Sequence, residues 1–308
     1  MDRGRGVATY NRREFLRRGG AMAAGAAVLG ALRPEGVFAA EDETIRLALI
    51  GCGSRGSGAV KDALSVKDEG PVKLWAMADL DEGRMAKSHD ALKEIFKEGV
   101  DVAQERRFVG FDAYRKAIDI LRPGDIAMCT TRPYIRPVHV EYAIRKGINV
   151  FMEKSFASDP AGVKRILRAG EEAEKKGVKV LAGLQCRHAP ARAALIEKIR
   201  AGGMGEIHAI RANRWGGGSW LKPNAEGANE LMGQLGLGKI HLYWVGSGHM
   251  VDNLIHQVDE CCWIKDAWPV SVEGHGGRIA DSQDAGQNLD IYSMEYTFAD
   301  GAKAFCGF

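Results

Sequence analysis

The chain has 308 residues, enough for two domains with sizeable cores, and an ordinary globular composition. Its formal charge of +3 comes from the N-terminus: residues 1–40 hold seven Arg, no Lys and three acids, and the rest carries a net of −1. Nothing in that balance points to nucleic acid or to an anionic membrane surface as a partner.

At the N-terminus, Asn11-Arg12-Arg13-Glu14-Phe15-Leu16-Arg17-Arg18 precedes a weakly apolar Gly/Ala stretch from Gly19 to Leu32. Val37-Phe38-Ala39 or Ala40 then offers a small-residue cleavage site. The pattern resembles a twin-arginine export signal, and its apolar part falls short of the roughly 20 residues of a membrane helix. A basic tail is the plainer alternative. The resemblance implies a periplasmic protein that meets the membrane only during export. Substrates of that route typically cross folded, often because a cofactor is loaded first. Residues 1–40 are therefore set aside from the fold, and no other segment reads as a bilayer span. Six cysteines, at 52, 129, 186, 261, 262 and 306, form no C-x-x-C and are read as free thiols.

From residue 45 the chain alternates strand and helix. Strands are expected at 45–50, 72–78, 107–109, 125–129 and 148–152, with helices at about 57–66, 81–98, 112–121 and 135–146. A helix at 159–177 and a strand at 179–183 close this unit. Such alternation predicts a parallel, doubly wound sheet, with ligands at the carboxyl ends of its strands. The first strand, Ile45 to Ile50, runs into Gly51-Cys52-Gly53-Ser54-Arg55-Gly56. Strand, G-x-G-x-x-G and helix together make a dinucleotide fingerprint, whereas the glycines alone would also suit an ordinary turn. Gly51 permits the turn, Gly53 lets backbone approach a pyrophosphate, and Gly56 lets helix and strand pack. Asp79 ends the second strand, where an acid accepts the ribose hydroxyls and disfavours a 2′-phosphate, so NAD is expected before NADP. Thr130-Thr131-Arg132-Pro133 follows the fourth strand and Glu153-Lys154-Ser155 the fifth. The candidate cofactor contacts are Gly51, Gly53, Ser54, Arg55, Gly56, Asp79, Thr130, Glu153 and Lys154.

A second region begins near Gln185. It reads as a helix at 190–202, a strand at 205–214, a Gly-, Asn- and Trp-rich loop over 215–240, and a helix at about 246–264. Strands near 269–274, 288–298 and 302–308 complete a sheet. The chain ends at Cys306-Gly307-Phe308 without a closing turn or helix, the pattern of a truncated domain.

On the 246–264 helix, Asp252, His256 and Asp259 fall at i, i+4 and i+7, which puts them on one face. A carboxylate beside an imidazole suits a general base. A solvated face with a salt-bridged His fits the spacing equally. Metal binding by His249, Asp252 and His256 is a weaker rival, since no second ligand cluster accompanies them. Lys154, at the nicotinamide end of such a fold, would favour alkoxide charge on a substrate, or be a surface Lys in a turn. His139 reads as either a site or a helix-packing histidine. Trp215, Trp220, Tyr243 and Trp244 flank the Gly-rich loop, where rings could stack on a sugar or serve as core.

Taken in order, Gly51-x-Gly53-x-x-Gly56, Asp79, His139-x-x-x-Ala143, Glu153-Lys154 and Asp252-x-x-x-His256 resemble the glucose–fructose oxidoreductase / inositol dehydrogenase / MocA (Gfo/Idh/MocA) family over nearly all of residues 44–308. Its Glu-Lys-Pro motif has Ser155 here in place of Pro. The resemblance implies a Rossmann domain at 44–160 and an incomplete substrate-binding and oligomerisation domain at 161–308, with an open, mostly antiparallel sheet. It implies catalytic roles for Lys154, Asp252 and His256, a tightly held NAD or NADP, no metal, and a homo-oligomer. The expected activity is an oxidoreductase on a secondary hydroxyl of a sugar or polyol. An NAD-dependent glycoside hydrolase that oxidises its substrate transiently, and a non-catalytic sugar- or partner-binding protein, are the alternatives.

Overall fold

The computed structural model describes residues 43–66, 70–216, 229–237, 241–279 and 286–308, so the twin-arginine pattern and Trp220 lie outside the described residues. Six strands, β1 (Ile45–Ile50), β2 (Val72–Asp79), β3 (Arg107–Val109), β4 (Ile126–Cys129), β5 (Asn149–Glu153) and β6 (Val180–Gly183), form one sheet in the order β3-β2-β1-β4-β5-β6. Every pairing in it is parallel. The order reverses between β1 and β4, and that switch point opens a crevice at the carboxyl ends of the strands.

The crossovers are α1 (Ser54–Leu64), α2 (Glu82–Phe96), α3 (Ala113–Asp119), α4 (Arg136–Arg145) and α5 (Pro160–Lys176). They cover both faces, which is why the strands read as unbroken apolar runs. Ala48 and Ile50 pack with α3, α4 and α5, while Leu47 and Leu49 pack with α1 and α2. Each fully buried Leu or Ile contributes about 1.5–3 kcal/mol. Local signals set the helix ends. The Asp81 and Asp159 carboxylates accept the backbone N–H of Arg84 and Gly162, and Gly177 closes α5 in the left-handed conformation. Because β6 pairs with β5, this first layer continues past residue 160 to Gly183.

After α6 (Pro190–Lys198), the second sheet contains β7 (Ala209–Asn213), β8 (Pro269–Gly277), β9 (Ile291–Phe298) and β10 (Lys303–Gly307), ordered β7-β10-β9-β8. Only β7 and β10 run parallel. One face packs against α10 (Ile255–Lys265) through Cys261, Cys262, Tyr296 and Phe298, whereas Val270 and Val272 on the edge strand β8, and Ile291 on the opposite face, remain exposed. The architecture is thus α/β, a Rossmann-type parallel sheet with a second, mixed sheet, as expected from the sequence.

Three expectations are corrected. The 215–240 stretch is not all loop: α7 (Glu230–Leu237) starts on Asn229, whose side chain accepts the Met232 N–H at 3.0 Å. The strand expected from 288 begins at 291, because the Asn288 side chain instead accepts the His249 N–H at 3.0 Å. The helix expected over 246–264 is three pieces: α8 (Tyr243–Gly246), α9 (Gly248–Asp252) and α10. Ser247 and Gly248 have φ of 63° and 71°, and Asn253 bonds the His249 ring, so the helical register breaks on both sides of α9. Asp252, His256 and Asp259 therefore do not share one helical face.

Candidate active site

β1 delivers the Gly-rich turn to the crevice. Gly51 has φ of 97°, and a Cβ there would lie 2.8 Å from the Thr131 nitrogen. A Cβ on Gly56 would lie 2.2 Å from the Gly51 oxygen, so helix and strand touch as the fingerprint requires. A Cβ on Gly53 would meet nothing within 4 Å: its open side is the wall of the crevice. This is the cradle that a pyrophosphate fills. The residues present fit a dinucleotide.

All nine predicted cofactor contacts line one cleft of about 840 Å³, together with Asp252. Their side chains are already fastened to one another. Asp79 accepts the Cys52 N–H at 2.6 Å through one oxygen, and the Asp81 N–H and Arg84 Nη1 through the other. The Thr130 hydroxyl donates to the Gly51 carbonyl at 2.6 Å and pins the turn, which makes it a support rather than a free donor. Arg55 Nε reaches the buried Glu153 carboxylate at 2.8 Å. Ser54 opens α1.

Lys154, also in the cleft lining, follows β5. Its Nζ donates to Asp252 Oδ1 at 3.0 Å and to the Asp252 carbonyl. The Lys154–Ser155 peptide is cis, and the fully buried Ser155 hydroxyl donates to the Val251 carbonyl at 3.0 Å. Two successive residues thus tie the end of β5 to α9. The ion pair is almost entirely buried, so it is screened little by salt.

His256 occupies a different position from the one its spacing suggested. Asp252 holds Lys154, and Asp259 binds Arg187 side-on at 2.8–3.0 Å. His256 Nδ1 is buried without a hydrogen-bond partner, and the residue is not among those lining the cleft. Burial, then the Lys154 and Arg214 charges, lowers its pKa, against the opposing pull of Asp252 and Asp259. The shift favours the neutral ring.

Sequence reasoning missed two arginines. Arg84 meets Asp79 at 3.2 Å, and its position in the first turn after β2 was a readable signal. Arg136, in the first turn of α4, is 2% exposed and donates to the Thr131 carbonyl, while its Nε and Nη1 have no partner. Burial pushes its pKa down to about 10, so it stays charged. No sequence pattern announces a buried guanidinium. His139 both packs and lines the cleft: it lies against the Tyr114 ring with centroids 4.3 Å apart, its Nδ1 is 3.1 Å from the Thr131 hydroxyl, and burial and Arg136 lower its pKa to about 3. Among the described aromatics, Tyr134 lines the cleft and meets Trp244 edge-on at 5.3 Å, whereas Trp215 is exposed. Among the described residues no group of three or more His, Cys, Asp or Glu converges as a metal site.

No protein-family model matches the chain, and no curated protein matches it. Solved structures do. The myo-inositol 2-dehydrogenase of Lactobacillus plantarum superposes with a TM-score of 0.66 at 21% identity, over 86% of this chain and 69% of that one. The aldose-aldose oxidoreductase of Caulobacter crescentus gives 0.65 at 17% identity, over 86% and 70%. The WlbA dehydrogenase of Chromobacterium violaceum, solved with NADH and UDP-GlcNAcA, gives 0.63 at 18% identity, over 87% and 67%. At these identities the likeness establishes the fold.

Proposed function

We propose that this chain is an NAD(P)-dependent oxidoreductase of the Gfo/Idh/MocA type, acting on a secondary hydroxyl of a sugar or polyol. The observation that carries the reading is one cleft lined by both the open Gly53 turn and the buried Lys154–Asp252 pair. The inositol and sugar dehydrogenases among the structural neighbours support it.

Gly51, Gly53, Gly56, Arg55 and Asp79 would hold the dinucleotide, which when bound supplies the hydride acceptor. Asp79 suits the ribose hydroxyls of NAD, and Arg84 beside it offers a cation to the 2′-phosphate of NADP, so either form is accommodated. Lys154 donates from Nζ to the reacting hydroxyl oxygen and favours its alkoxide. Asp252 fixes the direction of that ammonium. His256 does not line the cleft, so its role as proton acceptor is proposed from the D-x-x-x-H pattern of the family and from its nearness to the Lys154 charge. The open face of the second sheet, which presents Ile291, Phe305 and the Lys303–Glu295 ion pair, is the proposed contact between copies in a homo-oligomer.

Mass spectrometry of the purified, unsupplemented protein tests the cofactor: NAD or NADP released on denaturation is expected, and its absence with no binding of added cofactor would refute the reading. Activity is tested with sugars and polyols. Net NADH or NADPH formation supports an oxidoreductase, and glycoside cleavage without net reduction supports the transient-oxidation hydrolase. Turnover that survives both Lys154→Ala and His256→Ala would overturn the catalytic roles. Residues 1–40 are proposed as a twin-arginine signal directing a folded, loaded enzyme to the periplasm. Arg12→Lys with Arg13→Lys should then leave the protein in the cytoplasmic fraction.

A further inference from the structure

We propose that Cys261 and Cys306 are a disulfide-forming pair that fastens the helix bearing His256 to the centre of the second sheet. All six thiols are buried. Among the described residues, only this pair of thiols is in contact, with Sγ atoms 4.0 Å apart across 45 residues of chain. That distance is a van der Waals contact, and a disulfide needs about 2.05 Å. Closing the bond draws the two sulfur atoms together by about 2 Å.

The surroundings favour this pairing. Cys306 lies on β10, which is hydrogen-bonded to β7 on one side and β9 on the other, so its backbone is fixed. Cys261 projects from α10 into the cluster of Leu254, Tyr296, Phe298 and Ala304, which offers few competing polar partners. Cys262, one residue on, is turned by about 100° around the helix; it packs in the same cluster, but the Sγ contact with Cys306 is made by Cys261. The thiols at 52, 129 and 186 belong to other parts of the fold.

The oxidation is an exchange with an external disulfide, of low molecular weight or protein-borne. One thiol, as thiolate, attacks the external disulfide, forms a mixed disulfide and expels a first thiol. The second Cys then attacks the mixed disulfide and expels a second. Two protons and two electrons leave the chain, and the external disulfide becomes two thiols. Both cysteines are at most 2% exposed, so exchange occurs during folding or through opening of α10, and the closed bond is shielded from reductants. Cross-linking a loop of this length restricts the unfolded chain. It also limits movement of α10, and with it the placement of His256.

The test uses the full chain and is independent of the oxidoreductase reading. Protein purified with reductant is refolded in a reduced and oxidised glutathione buffer, alkylated under denaturing conditions and digested without reduction. The expected product is lighter by two hydrogens. It yields one Cys261–Cys306 cross-linked peptide, with Cys52, Cys129, Cys186 and Cys262 alkylated. Its Tm is several degrees above that of the reduced form. Cys262→Ser keeps the cross-link and Cys306→Ser loses it. Six alkylated cysteines, or a cross-link through Cys262, would overturn the proposal. If Cys306→Ser fails to fold, the wild-type peptide map decides alone.

Discussion

The two sheets build their shares of the cleft in opposite ways. In the first, strands covered on both faces stop at the crevice, and each functional group is a strand end or the residue after it: Gly51, Asp79, Thr130, Glu153 and Lys154. In the second, the sheet is covered on one face, and Asp252 comes from α9, a five-residue helix between two irregular turns. Its place is set by side-chain bonds from distant residues, Asn288 to the His249 N–H and Ser155 to the Val251 carbonyl. The comparison separates positioning by regular backbone, which resists change outside the turn, from positioning by a few polar contacts, where one substitution displaces the group.

The strongest way to break the contrast is Gly56→Ala. Its Cβ would meet the Gly51 oxygen at 2.2 Å, so the turn must distort, and dinucleotide affinity measured by fluorescence titration should fall roughly a hundredfold. Gly53→Ala meets no protein atom; it should leave Tm unchanged and weaken binding only through the ligand. A similar drop in Tm for both would show that the loop is merely structural. Next, Asp252→Asn should lower kcat by about 10- to 100-fold while dinucleotide affinity stays within about twofold, because the lost charge orients Lys154 rather than the Gly-rich turn. Gly248→Ala probes the assembled half. At φ of 71°, with Asn288 Oδ1 2.6 Å from the new Cβ, it should cost about 1–2 kcal/mol in denaturant unfolding and reduce turnover with the dinucleotide still bound.

Acid should weaken both halves. His139 and His256 have folded pKa values below the ordinary 6.5. The unfolded chain therefore takes up protons first as pH falls. This stability is complete above about pH 7 and is lost as pH falls through 6.5 toward 3. The urea midpoint should be lower at pH 5 than at pH 7.5, and His139→Gln should reduce the difference. The smallest effect is expected on the open sheet face, where Ile291→Lys should shift association in sedimentation without altering dinucleotide binding.

The first sheet was legible because burial on both faces leaves continuous apolar runs, and glycines mark where they end. Lys154 was found from its position after the fifth strand. The break around α9 was not legible: the Asn288 contact spans 39 residues, and only Ser247-Gly248 hinted at it locally. A seven-residue pattern over Asp252, His256 and Asp259 therefore suggested a face that the chain never forms. α7 was readable, since Asn229 before Glu230 and Leu231 is an N-cap signal. Arg136 was not, because sequence carries no sign of how few partners a buried group retains.

That guanidinium makes the cleft a place where thermostability and activity pull apart. A buried charge with one of its three nitrogens bonded destabilises the native state relative to an apolar side chain of similar volume. Arg136→Met should therefore melt at a higher temperature than the parent while turning over more slowly, since the Thr131 carbonyl beneath the cleft loses its donor.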